Sequence, residues 1–413
     1  MDRIRKEKLR VPHKAQLVSF LQALRVKKFG PARICAADLQ SWCEERLKIP
    51  ADEDEVFVVD FHIRATSYDV ADQELRIVLS TRRLLSIFKK SRMLQADATY
   101  KLLWNGFPVL LVGTSDSIRV FHPFLLSVTS GETAEDFEFV FRALHNFHPE
   151  WVPTVLLADG ADAITKAFTS VFGEPLTRLM CYFHVTENIE KYLKPLCTRK
   201  CDLGKQVKED IRILQLCQNE DMFLKATNLF LQKWKKNTDA RLIDFMNYFE
   251  AQWLKKLPNW YEGAALDLPS SNNGLEGTNG VIKREHTVRA RLPLSQFLSN
   301  VTDLLESWSR RRDPSSDGCT MFAEVRKVGL RDWTEAYQWA IQGEALERNA
   351  INRTLFFVAS TRIQKPISPN LVHKFEREYG KWKTFDSFAE WRSRIGRLRR
   401  RRTAFGHARA LFL

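Results

Sequence analysis

Three acidic residues, far apart in the chain, have the surroundings that metal-dependent phosphate chemistry needs. Asp97 stands in Leu94-Gln95-Ala96-Asp97-Ala98-Thr99-Tyr100-Lys101-Leu102-Leu103, and Asp159 follows the apolar run Val155-Leu156-Leu157-Ala158. Glu276 lies in the polar, glycine-rich stretch Asn272-Asn273-Gly274-Leu275-Glu276-Gly277-Thr278-Asn279-Gly280. A carboxylate at the end of a buried strand is costly unless something neutralises it. Divalent cations do so, because hard cations take oxygen ligands and can be shared between carboxylates. Two such ions about 3.5–4 Å apart activate the attacking oxygen and stabilise the leaving oxygen when a phosphodiester is cut. One strand aspartate alone reads as a hydrogen-bonded structural residue. Two strand acids with one helix-entry acid read as the catalytic and metal-holding set of a phosphoryl-transfer nuclease.

The flanks of Glu276 extend the set. Asn272 and Asn273 are natural helix-entry residues. Gly274, Gly277 and Gly280 are poor choices inside a purely structural helix, and their missing side chains admit a backbone or a phosphate. In a helix starting near Glu276, Asn279 and Lys283 fall on the same side. Lys283, Arg284, Arg289 and Arg291 follow directly and are the candidate DNA contacts. Cys181-Tyr182-Phe183-His184 reads as the end of the last strand, placing His184 near Asp159 to contact a scissile phosphate or orient a metal-bound water. The competing reading makes Cys181, His184, Cys197 and Cys201 a zinc set. His122 reads as a strand residue without chemistry.

The elements that must position these residues follow from periodicity. Leu94 to Leu103, Phe107 to Ser115 and Val120 to Thr129 form three β-like runs, separated by Asn105-Gly106 and by Ser115-Asp116-Ser117, which suits an antiparallel meander. Glu132 to Phe147 is an amphipathic helix. A strand (Thr154 to Ala158), a helix (Ala161 to Phe172) and a strand (Thr177 to Phe183) follow. This βββαβαβ order predicts an α/β fold with an RNase H-like mixed sheet flanked by helices. Residues 185–268 lose strand character and read as an all-α insertion before the third acid. The expected regions are a mostly helical lead-in (1–90), the first part of the core (91–190), the helical insertion (191–268), the last part of the core (269–312) and a mostly helical C-terminal region (313–413). In the lead-in, Val56 to Ile63 reads as a strand; in the last region, Trp333 to Glu347 reads as helix.

With 413 residues, the chain is long enough for two or three domains. No apolar run approaches bilayer-spanning length, so no membrane role is expected. The start lacks the apolar stretch of a secretory signal. Seven scattered cysteines argue against a disulfide framework and for an intracellular, reducing compartment. Lys and Arg outnumber Asp and Glu by 64 to 50, a net charge of +14, which favours a polyanionic partner. Arg392, Arg394, Arg397, Arg399, Arg400, Arg401 and Arg402 form the densest basic run. It reads either as a nuclear-import or phosphate-binding tail or as a solvated end.

Asp97-Ala98-Thr99-Tyr100-Lys101, Phe107-Pro108, Phe121-His122-Pro123, Asp159-Gly160, Cys181-Tyr182-Phe183-His184 and Asn272-Asn273-Gly274-Leu275-Glu276-Gly277-Thr278-Asn279 together resemble the MULE (Mutator-like element) transposase domain over about residues 75–310. The resemblance implies an RNase H-like DDE core interrupted by a helical insertion, with Mg²⁺ or Mn²⁺ as cofactor. Its partners would be double-stranded DNA at the transposon terminal inverted repeats and target DNA, its assembly a homo-oligomer, and its place the nucleus. By position, Asp97, Asp159 and Glu276 correspond to the acidic triad, and Cys181 and His184 to the family's Cys-x2-His motif. Many full-length relatives carry zinc modules at both ends, for which no ligand pattern is seen here. The alternative expectation is therefore a domesticated or truncated, non-catalytic DNA-binding or chromatin-associated protein.

Overall fold

Val56–Ala65 (β1), Gln73–Thr81 (β2), Met93–Thr99 (β3), Val109–Ser115 (β4), Phe121–Thr129 (β5), Val155–Ala158 (β6) and Thr177–Met180 (β7) form one seven-stranded sheet. Its order is β1-β2-β5-β4-β3-β6-β7. This is a computed structural model, and it describes residues 13–29, 34–65, 73–173, 177–197, 202–265, 268–287, 290–325, 333–334, 337–338, 346–348, 356–358 and 377–399. The fold is mixed α/β. Their described parts divide into two compact units, one within Met1–Arg178 and Asn272–Phe322, the other within Leu179–Ser271 and Ala323–Leu413.

In the first unit, β3, β4 and β5 form the antiparallel meander that the sequence predicts. Every residue of β4 and β5 is buried, which is why both read as near-continuous apolar runs. β3 stops at Thr99, short of the expected Leu103, because Lys101 takes a left-handed φ of 68° that no strand continues through. Gly106, at φ 77°, completes the connection to β4. β6 runs parallel to β3, with Met93↔Val155, Leu94↔Leu156 and Gln95↔Leu157 as partners. The expected lead-in strand is present as β1. It pairs with β2, and β2 pairs with β5, so this region extends the sheet.

Lys14–Phe29 (α1) and Ala36–Glu44 (α2) precede the sheet. Ala134–Phe147 (α3) starts at a reciprocal cap in which Thr133 and Asp136 bond each other's backbone and side chain. Arg76 adds a 2.7 Å bond from β2 to the same carboxylate. Asp162–Phe172 (α4) packs on α3 through Phe141, Phe168 and Phe172.

The chain enters the second unit within β7. There Tyr182–Leu193 (α5), Leu203–Gln215 (α6), Glu220–Trp234 (α7) and Ala240–Phe249 (α8) follow one another, and α8 continues into a wider π turn, Glu250–Lys256. Trp253, Trp260, Phe230, Phe245 and Phe249 fill their core. The chain returns to the first unit as Asn273–Val281 (α9), a π turn Ile282–His286, and Leu294–Arg310 (α10). The helical path from α9 to α10 is thus interrupted. Leu292 breaks it by exchanging backbone bonds with Leu102 and Trp104, at 2.8 and 3.0 Å. Leu346–Arg348 (β8) and Phe356–Val358 (β9) form a small antiparallel pair where helix was expected for Leu346 and Glu347. Phe385–Arg399 (α11) closes the second unit's core with Phe385, Phe388 and Trp391.

Two further expectations are corrected here. Cys181 to His184 do not end a strand: β7 stops at Met180, Cys181 takes an extended N-cap geometry, and Tyr182 opens α5. The buried spacing Val185, Ile189, Leu193 is helical, and it overrides the strand preference of the two aromatics. Arg392 does not belong to a solvated tail. It is 3% exposed and donates twice to the Leu216 carbonyl, at 2.8 and 3.1 Å, closing the C-terminus of α6. Arg400, Arg401 and Arg402 lie outside the described residues. Among the described residues no helix is long and apolar enough to cross a membrane.

Candidate functional site

Asp97 sits half-buried on β3, in the middle of the first unit's sheet. Its Oδ2 accepts a 3.0 Å hydrogen bond from Asn279 Nδ2 of α9. Helix α9 therefore carries two groups toward β3, because Glu276 lies one turn before Asn279 on the same face. The helix begins when Glu276 N–H bonds the Asn272 carbonyl at 2.8 Å, which puts the Glu276 carboxylate in the first turn, where the exposed N–H groups favour negative charge. Leu275 and Ile282, both fully buried, anchor α9 and the turn after it in the core. Gly274 makes the approach possible: a Cβ there would lie 2.7 Å from Phe121 Cβ at the start of β5. Gly277 and Gly280 face open space, so close packing accounts for only one of the three glycines.

Asp159 follows β6. Its Oδ1 accepts from Ala161 N at 3.0 Å, a local turn that leads into α4. Arg178 of β7 fixes the same segment by donating to the carbonyls of Ala158 and Asp159, while its Nε bonds Thr165 Oγ1 on α4 at 3.0 Å. The β3–β6 register ends at Gln95↔Leu157. Asp97 and Asp159 each stand two residues beyond that last pair. A fourth acid lies nearby. Burial raises the Glu132 carboxyl above the usual carboxylate range, and the Asp159 charge adds to that against the Tyr100 hydroxyl bond. Burial, with Glu132 as neighbour, pushes Tyr100 up to about 12.

Among the described residues, Asp97, Asp159 and Glu276 do not each offer an oxygen within 4.8 Å of the other two. The structure brings together Asp97 with α9, and Asp159 with Glu132. His184 and Cys181 lie in the second unit, at the start of α5, with ligand atoms within 4.8 Å of each other. The His184 carbonyl accepts from Asn188 Nδ2 at 2.8 Å. Of the remaining zinc candidates, Cys197 is exposed and Cys201 lies outside the described residues. Asn273 is exposed in the first turn of α9. Lys283 is half-buried in the π turn, Arg284 is exposed and pairs with Glu285 at 3.0 Å, and Arg291 is exposed; Arg289 lies outside the described residues.

Sequence reading gave no role to Asn279 as partner of Asp97, nor to Arg178, Glu132 or Tyr100. For Asn279 a signal existed, since it stands three residues after Glu276. For the others the link is made only by the folded chain. A hard divalent cation fits the donors of this unit. They are oxygens, and Asn279 Oδ1, beside Asp97, is buried with no hydrogen-bond partner.

Residues 93–188 match the family model described as the MULE transposase domain. The matched stretch runs from β3 into α5 and includes Asp97, Asp159, Cys181 and His184; Glu276 lies beyond it. None of the curated proteins matches the chain.

Proposed function

We propose that this protein is a DNA transposase of the Mutator-like type, cutting DNA at transposon ends and joining it to a target through a DDE triad of Asp97, Asp159 and Glu276. The match of residues 93–188 to the MULE transposase domain supports a transposase-type function and carries the reading. The meander β3-β4-β5 extended by parallel β6 supports an RNase H-like core, in which residues 179–271 form the helical insertion. The carboxyl ends of neighbouring parallel strands are where open α/β sheets bind ligands, and Asp97 and Asp159 sit there.

Bound Mg²⁺ or Mn²⁺ would stabilise charge on the attacking and leaving oxygens of the phosphodiester. The chain's own contribution is placement. Asn279 holds one oxygen of Asp97, Arg178 holds the backbone at Asp159, and the core-anchored α9 carries Glu276 in its first turn. Lys283, Arg284, Arg289 and Arg291 follow α9 and would meet the phosphate backbone. Double-stranded DNA, both terminal inverted repeats and target, is then the partner. Work on chromosomal DNA puts the protein in the nucleus, as a homo-oligomer that holds two ends.

The test is cleavage and joining of supercoiled DNA carrying terminal inverted repeats, with and without Mn²⁺. Asp97→Asn, Asp159→Asn and Glu276→Gln should each remove product while DNA affinity stays near that of the parent. Variants that cut like the parent would overturn the triad. A parent that binds the repeats and never cuts them would overturn the transposase reading.

A further inference from the structure

We propose that Asn279 is a positioning residue of the cation site, holding Asp97 through its amide nitrogen and turning its amide oxygen toward the cation or a water bound to it. The inference rests on the reading of Asp97 as a metal ligand. Asn279 is 5% exposed, on the inward face of α9, and its Nδ2 lies 3.0 Å from Asp97 Oδ2. The nitrogen must face the carboxylate, since the opposite orientation would set two acceptors against each other. The amide oxygen is then fixed as well, and it is buried with no hydrogen-bond partner. Buried acceptors are almost always satisfied, so one left over beside a carboxylate points to a donor or cation arriving there.

An asparagine serving only to dock α9 on β3 would need one amide contact and a satisfied second atom. Here the docking is already done by other groups. Leu275 and Ile282 are fully buried, and Gly274 closes onto Phe121. Residues that orient a metal ligand characteristically change metal affinity 10–100-fold when removed. A neutral amide suits this place because it adds an oxygen without adding a fourth negative charge to a site that must also admit phosphate.

The experiment is Mn²⁺ titration of the full chain without DNA, following free Mn²⁺ by its electron paramagnetic resonance signal, for the parent, Asp97→Asn, Asn279→Ala and Asn279→Asp. Asn279→Ala should weaken Mn²⁺ binding by about 10–100-fold. Asn279→Asp, which restores an oxygen, should recover part of that loss, and cooperative metal-free unfolding of each variant shows that it is folded. The inference is overturned if Asn279→Ala keeps the parent's Mn²⁺ affinity, if only its unfolding midpoint moves, or if the parent binds no Mn²⁺. A parent that binds Mn²⁺ in an Asn279-dependent way and still never cuts DNA would leave this inference standing and remove the transposase reading. A parent that cuts DNA alongside an unchanged Asn279→Ala affinity would do the reverse.

Discussion

His122 is the residue whose chemistry follows most directly from its partners. Arg312 Nε reaches His122 Nδ1 at 3.3 Å, and an arginine only donates, so Nδ1 accepts and Nε2 carries the proton. Nε2 then donates to Asp116 Oδ2 at 3.1 Å, with both side chains fully buried. Burial first, and then the Arg312 charge, push His122 down from 6.5 to about 4. The unfolded chain therefore binds a proton at a pH where the folded chain does not. The stabilisation is fully present above about pH 6.5 and falls away toward pH 4, by on the order of 3 kcal/mol. Urea unfolding of the parent against His122→Gln should show this as a steeper loss of stability in the parent across that window. Equal slopes would refute it. The sequence marked His122 as a strand residue without chemistry, and nothing more was legible, because its partners stand 6 and 190 positions away. Asp97 and Asp159 stood out in the sequence for the opposite reason: each is a lone charge in or just after a strand-like run, a local pattern.

At the scale of elements, placement of α9 decides whether Glu276 and Asn279 can serve β3, and Gly274 controls that placement. A methyl group there would sit 2.7 Å from Phe121 Cβ, a rigid neighbour, so the helix must move. Gly274→Ala should cost about 1–3 kcal/mol in stability and reduce DNA cleavage by more than Asn273→Ala does. Gly277→Ala is the matched control. It adds the same methyl to the same helix in open space, and should raise stability by about 0.5–1 kcal/mol. If the two substitutions behave alike, Phe121 is not the reason for Gly274. The three central strands, α3 and α4 were legible to within a few residues, because burial on the pleat and the 3.6-residue stripe are both local. Cys181 to His184 were misread because two aromatics after an apolar strand favour its continuation, whereas Val185, Ile189 and Leu193 need a helix. The turn at Lys101 left no mark, since a lysine at positive φ is not a sequence signal.

The whole molecule consists of two units interleaved along the chain, and each has its own buried ionic fastening. In the first, Asp136, 2% exposed, joins the cap of α3 to Arg76 of β2 at 2.7 Å. In the second, Asp210 of α6 takes Lys233 Nζ at 2.8 Å and Trp234 Nε1 at 2.9 Å, and Lys233 also reaches Asp386 of α11 at 2.7 Å. Burial raises the Asp210 carboxyl, while Lys233 and Trp234 pull it back down. The interleaving was legible only as a loss of strand character after residue 185, since nothing local says that 179–271 and the C-terminal helix share a core. That core now makes a prediction. Removing either acid takes the acceptor from a largely buried donor, Arg76 in the first unit and Trp234 Nε1 in the second, at about 3 kcal/mol. Asp210→Ala should therefore lower a thermal transition belonging to the helical unit, and Asp136→Ala one belonging to the sheet unit. Differential scanning calorimetry separates the two, because each substitution should move the transition of its own unit and leave the other in place. If either substitution shifts a single shared transition by the same amount, the units do not unfold independently, and the two cores are coupled through the crossings at 178–179, 271–272 and 322–323.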